Sequence, residues 1–226
     1  MRNVRVIGMF ALLATLAGAS VAVAQMGRAP QFQGVWNPVV GSGAVYLTES
    51  KGERGERKSE MEIAIVDKET VEGKTGYWLE YTIQDPRGGA TYMKHLIIQS
   101  GKDTIVQRMI MQVPSMPQPV EMSMEMVRHS GTAADQVADV REISELVGNE
   151  SVTTPAGTFQ CAHWRRKDGS ADVWLNDKVY PRGLVKSIGK DSNMTLVRVL
   201  TNAKTHITGT PTKYDPMEMM RQRRNP

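Results

Sequence analysis

The sequence predicts a mainly β protein, built on a strongly curved antiparallel sheet of about ten strands with one or two covering helices. Three observations carry this expectation. Apolar and polar residues alternate over most of the chain, turn-forming clusters recur between the alternating runs, and only two segments have helical character.

The first segment is not expected in the mature protein. Arg2 and Arg5 precede a largely apolar run from Val6 to Ala19, and Ala22-Val23-Ala24 places small residues before Gln25. That is the pattern of a secretory signal peptide, residues 1–24, cleaved after Ala24. The run falls short of the roughly 18 residues of a membrane span, and no later stretch is apolar enough to serve. The expectation is a periplasmic or secreted protein with no stable membrane span in the mature chain, an uncleaved anchor being the alternative. Removing the leader takes two of the 28 basic residues and none of the 24 acidic ones, leaving a small positive charge. Such a balance argues against nucleic acid as a partner. The one cysteine, Cys161, cannot form an internal disulfide, so stability rests on packing and strand pairing.

The strands follow in order. Met61 to Val66 is the first, and in the second Tyr77, Leu79, Tyr81 and Ile83 alternate with Trp78, Glu80, Thr82 and Gln84. Tyr92 to Gln99 follows. From Ile105 to Val113, Met109, Met111 and Val113 fall on one face while Arg108 and Gln112 fall on the other. Val120 to Val127, Phe159 to Arg166, Ala171 to Asn176, Leu184 to Ile188 and Met194 to Leu200 complete the set. Hairpin-type punctuation separates them at Glu72-Gly73-Lys74, Pro86 to Gly89, Ser100 to Asp103, Lys167 to Ser170 and Lys190 to Asn193. Pro155-Ala156-Gly157 is a tight turn that sends Thr158 and Phe159 back along Val152 and Thr153, because Pro155 has no N–H for a ladder and Gly157 tolerates a positive φ. The charged run Glu49 to Glu60 reads as a solvated hairpin loop.

Two segments depart from the period of two. Ala133 to Val147 has apolar residues at mixed helical spacing and a stop at Gly148, which predicts a helix that covers the sheet. Asp215, Pro216 and Glu218 mark a helix start, with Arg221, Arg223 and Arg224 at its end. The organisation expected is one β-rich domain over residues 25–210 and a tail with a short helix over 211–226.

Several turns carry a resemblance. The Pro155 to Phe159 turn, the strand with Cys161 and His163, the strand end Trp174-Leu175-Asn176-Asp177 and the return Pro181 to Lys186 resemble bacterial exported proteins of unknown function in the lipoprotein-carrier (LolA/LolB-like) superfamily, over Tyr77 to Lys204. The resemblance implies an open half-barrel, closed by helices or loops, whose concave side holds acyl chains or another apolar ligand. No binding residue of those carriers matches a position here, and none is carried over.

Methionine is abundant in this chain, with 15 Met against three Phe. In the predicted strands Met122, Met124 and Met126 share one face, with Met109 and Met111 on a neighbouring strand. Flexible thioethers suit an apolar groove that accepts varied shapes, so these five are the candidate ligand-binding residues, an apolar small molecule or acyl chain being the partner. Ordinary core packing is the plain alternative. Cu(I) held by Met122, Met124 and Met126 is another, although sulfurs about 7 Å apart on one strand face would have to bend toward a single ion.

Other chemistry is sparse. Cys161 and His163 offer only two local ligands, fewer than zinc needs, and read as a packed Cys beside a surface His. His95, His129 and His206 are scattered, and Gly73-Lys74-Thr75 lacks the first glycine of a phosphate loop. No nucleophile elbow or paired carboxylates appear. The reading is an exported non-enzymatic binding protein with no cofactor, against a periplasmic Cu(I) binder or a structural or interaction module with no small ligand. N-terminal sequencing of exported material should begin at Gln25, and retention of Met1 would refute the leader.

Overall fold

The computed structural model describes residues 34–52, 55–84, 88–100, 103–129 and 139–214. The strands are β1 (Gly43–Gly52), β2 (Gly55–Val71), β3 (Lys74–Gln84), β4 (Ala90–Ser100), β5 (Asp103–Val113), β6 (Met116–Met122), β7 (Ser144–Thr154), β8 (Gly157–Arg166), β9 (Ala171–Leu175), β10 (Leu184–Gly189), β11 (Ser192–Leu200) and β12 (Thr212–Lys213). Two short helices, α1 (Met124–His129) and α2 (Val140–Ile143), lie between β6 and β7. All twelve strands form a single sheet in the order β12-β6-β5-β4-β3-β2-β1-β11-β10-β9-β8-β7, which does not close into a barrel.

Two meanders meet in this order. Strands β1 to β6 run outward from the centre one way and β11 back to β7 the other, with β1 paired to β11 through Gly43 to Ser50. Strands β7 and β11 come within 8 Å although three strands lie between them. Four spacings in a flat sheet would be about 19 Å, so this end of the sheet is rolled. Because β6 and β7 stand at or near opposite edges, the chain must pass from one side of the sheet to the other between Met122 and Ser144. Val127 and Val140, both buried, join the larger core cluster from this connection.

Directly opposed residues share a face, so the register sorts the first meander into two surfaces. Ile65, Leu79, His95, Met109 and Met122 form one row across β2 to β6, and Ile63, Tyr81, Met93, Met111 and Val120 form the next. These rows belong to what is here called the inner face. On the outer face Ala64, Val66, Trp78, Leu96 and Ile110 form a second, smaller core with Ile207. The segment 203–214 covers it. Buried Glu80 anchors that strap by accepting hydrogen bonds from the Thr205 hydroxyl and, at 2.8 Å, from the His206 backbone N–H. Farther along, Thr208 N donates to Gln112, and β12 pairs in parallel with β6. Trp78 lies under the ammonium of Lys94 and the guanidinium of Arg108, and Arg108 in turn holds Glu121 through two hydrogen bonds.

Most of the expected hairpins form where the turn residues stand, and the Pro155-Ala156-Gly157 corner pairs Val152 with Phe159 and Thr153 with Thr158. The differences are informative. The predicted helix over Ala133 to Val147 is a single turn, Val140–Ile143, followed by strand; residues 130–138 lie outside the described residues. Pairing of Ser144 to Thr154 with β8 overrides the local helical spacing, and Gly148 marks a register shift instead of a stop. The charged run Glu49 to Glu60 is paired almost to its tip, with Lys51 facing Glu56 and Lys58 facing Glu49, so it is hairpin strand more than loop. The leader and the helix expected from Asp215 fall outside the described residues, while Thr212 and Lys213 of the expected tail pair with the sheet.

Gly157 adopts φ 128°, which side-chain-bearing residues rarely do, and a Cβ there would meet no neighbouring atom within 4 Å. Gly157→Val should therefore cost about 1–3 kcal/mol through the backbone alone, and denaturant unfolding that showed no change would disprove the strain.

Candidate functional site

The inner face gathers four of the five methionines singled out in the sequence. Met109 is buried and opposes Met122, while Met111 is half-buried and opposes the buried Met93. Met122 and Met124 pack against the larger core cluster. The reason they do so differs from the expected strand stripe. Strand β6 ends at Met122 and α1 begins at Met124, with the Ser123 carbonyl accepting the first helical hydrogen bond from Val127 N at 3.1 Å. Ser123 at the cap and Glu125 in the first turn favour a helix start that the apolar alternation hid. Met124 therefore stands at the start of a helix and not on the strand that carries Met122; the Met126 side chain lies outside the described residues.

Beside these thioethers lies a polar group that the sequence reading missed. The loop from Asn176 to Gly183 joins β9 to β10 and closes on itself through Gly183 N donating to the Val179 carbonyl and Asn176 N donating to the Gly183 carbonyl. It carries Arg182, which is 1% exposed. The preceding chain is laced to this loop, since Val35 N donates to the Arg182 carbonyl at 3.1 Å and Asn37 N to the Pro181 carbonyl at 2.8 Å. Gly34 is required for that approach, because a Cβ there would fall 2.1 Å from the Arg182 oxygen. The guanidinium sits 5.1 Å from the centre of the Trp36 ring.

Tyr81 and His95 of the inner-face rows complete the cluster, their rings 5.5 Å apart. Burial, and next the charge of Arg182, pushes His95 down to about 4, so it is neutral near pH 7. Burial raises the Tyr81 hydroxyl against the opposing pull of Arg182. Burial also lowers Arg182, with Tyr81 and Asp139 acting the other way. Asp139 is itself held low, chiefly by hydrogen bonds from Arg141, whose Nε donates to both of its oxygens. Among the described residues, Nε and Nη2 of Arg182, Nε1 of Trp36 and Nε2 of His95 are buried with no hydrogen-bond partner. A buried charge normally demands such partners, because desolvation costs several kcal/mol per ion.

The remaining candidates are structural. His163 is held between Glu150 (3.1 Å) and Asp172 (2.6 Å) and stacks on Trp174, so it is not the surface residue expected. Burial opposes ionisation of Asp172, yet the hydrogen bonds from His163 and Arg165 prevail and keep its carboxyl low. Cys161 is buried, and its thiol is pushed up to about 11 by desolvation and by Glu150. His206 stacks on Tyr92 in the outer strap. No group of three His, Cys, Asp or Glu among the described residues could hold a metal ion. A groove on the outer face is lined by Glu60, Glu62, Thr82, Gln84, Arg198 and His206.

Part of the polar cluster was legible. Met93, His95 and Ile97 sit at alternate positions of β4, and period-two logic puts His95 on the face of its apolar neighbours. Arg182 carried the opposite signal, because an arginine between Pro181 and Gly183 reads as an exposed turn residue.

No family model matches the chain, and no curated protein matches it. Among solved structures it is similar to a Bacteroides fragilis protein inferred to be exported, with a YmcC-like fold, at 12% identity and TM-score 0.36, over 74% of this chain and 99% of that one. A Parabacteroides distasonis protein inferred to be a lipoprotein matches at 16% identity and TM-score 0.34, again over 74% and 99%. Neither likeness links the chain to the lipoprotein-carrier superfamily. No described helix is long and apolar enough to cross a membrane.

His95 gives the site a pH signature. Its native pKa of about 4 lies below the ordinary 6.5, so its contribution to stability is complete above pH 6.5. As pH falls from there toward 4, the unfolded chain takes up a proton that the native one refuses, and about 3 kcal/mol is lost. Unfolding free energies measured between pH 7.5 and 4 should fall more steeply for the wild type than for His95→Gln; parallel curves would refute the assignment.

Proposed function

We propose that this is an exported, non-enzymatic binding protein that holds an apolar ligand against the inner face of a curved, half-open sheet, in the manner of the lipoprotein carriers its turns resemble. The observation that carries the reading is the register. Met93 opposes Met111 and Met109 opposes Met122, so four thioethers lie together on the inner face, with Met124 packed at the same cluster. Two of the four are half-buried, unlike the fully enclosed aliphatic side chains of Ile63, Ile65 and Leu79. Unbranched thioethers adapt their shape to a guest at little cost in packing.

The test uses N-phenylnaphthylamine, an uncharged probe that fluoresces in apolar surroundings. The wild type should bind it. Met111→Leu conserves volume and should leave binding within a few fold, with stability held to about 1.5 kcal/mol. Met111→Glu should abolish binding, because its carboxylate would be desolvated without a partner. A Cu(I) site predicts the reverse, with Met122→Leu weakening Cu(I) in competition with a chelator and no probe uptake by any variant. Wild-type protein that takes neither probe nor Cu(I) has a filled core, and the binding reading falls.

A further inference from the structure

We infer that Arg182 receives the oxyanion head of a single-chain amphiphile, a carboxylate or a phosphate monoester, whose tail lies along the methionine-lined inner face; the inference rests on the binding reading above. Three observations converge on it.

The first is the edge of the guanidinium that lacks partners. Nε and Nη2 point their N–H groups in parallel and match two oxygens of one acid group. This chain uses the same edge elsewhere: Arg108 holds Glu121 through Nε at 2.8 Å and Nη2 at 3.1 Å. Arg141 holds Asp139 likewise. In Arg182 those two atoms have no acceptor among the described residues, though the side chain is 1% exposed.

The second is the sign of the surroundings. The Trp36 indole N–H, a donor only, is also buried and unpartnered beside the guanidinium. Asp139 acts on Arg182 only at the level of charge and directs its oxygens to Arg141. Even with His95 Nε2 counted as an acceptor, donors exceed acceptors among these unpartnered buried atoms. An anion fits that excess, a cation is repelled by it, and a lone hydroxyl would satisfy only part of it.

The third is continuity with the apolar face. His95 directly opposes Met109, and Tyr81 directly opposes Met93. The polar cluster and the thioethers are therefore neighbours in the same two rows. A ligand with its head at Arg182 runs past the Tyr81 and His95 rings and places its tail over the methionines.

The experiment uses the mature chain, freed of lipid, in a buffer without phosphate at pH 7.5. Oleic acid, oleoyl lysophosphatidic acid and oleyl alcohol share one tail, and each is titrated against bound N-phenylnaphthylamine. At least one acid should displace the probe at about a tenfold lower concentration than the alcohol, as expected for a charge-assisted bidentate pair; which acid is preferred identifies the head. Arg182→Met should bring acid and alcohol within about twofold while probe binding persists. It should also melt no lower than the ligand-free wild type, because it removes a buried charge without a partner. If Arg182→Met does not fold, Arg182→Lys and Trp36→Phe should each reduce the preference several fold. Equal displacement by acid and alcohol in the wild type, or a preference that survives in these variants, overturns the head-group inference alone. If the probe never binds and neither octanoate nor octyl phosphate raises the melting temperature, this inference and the binding reading fail together.

Discussion

Everything distinctive about this molecule depends on the pairing of β1 with β11. Within the described residues it is the one ladder that joins the two meanders, and it brings together segments some 150 positions apart in sequence. Tyr46 shows how tightly the junction is made. Its ring is fully buried between Met61 and Leu196, and its hydroxyl donates to the Leu184 carbonyl at 3.0 Å. Burial raises its ionisation far above the ordinary range, so the bond keeps its proton at any physiological pH. The polar cluster is a product of this junction, since Trp36, Tyr81 and His95 come from the first half of the chain and Arg182 from the second.

The sheet carries a core on both faces, which explains why its central strands do not show clean alternation. In β2, Ile63, Ala64, Ile65 and Val66 are consecutive and all buried. Ile63 and Ile65 enter the larger cluster, Ala64 and Val66 the smaller one. A sheet of this kind needs a cover on its second side, and the strap 203–214 supplies it with Ile207 below and Glu80 as the polar anchor. The charged residues around Trp78 serve the same face by setting the Lys94 ammonium and the Arg108 guanidinium over the indole ring.

What could be read from the sequence was what neighbours in the chain decide. Hairpins such as Pro155-Ala156-Gly157 hold residues close in sequence, so turn chemistry and period two were enough to place them. The start of β7, Ser144 to Val147, was read as helix because its partner β8 determines its conformation, while the residues from Ala133 to Val147 taken alone favour a helix. The strand expected over Val120 to Val127 ends at Met122, since a helix cap at Ser123 interrupts the run that alternation had extended to Val127. Arg182 was invisible because its burial is imposed by Gly34 and Trp36, some 150 positions away.

The burial of Cys161 has a practical consequence. Thiols react as thiolates, and one pushed up to about 11 inside a packed sheet is almost wholly protonated and shielded near neutrality. As the single cysteine in the chain it gives disulfide exchange one point of attack, on a strand that pairs with both β7 and β9. In an oxidising compartment the molecule is therefore protected from cross-linking to its neighbours for as long as those strands stay closed. Its rate of alkylation becomes a clock for how often that side of the sheet opens.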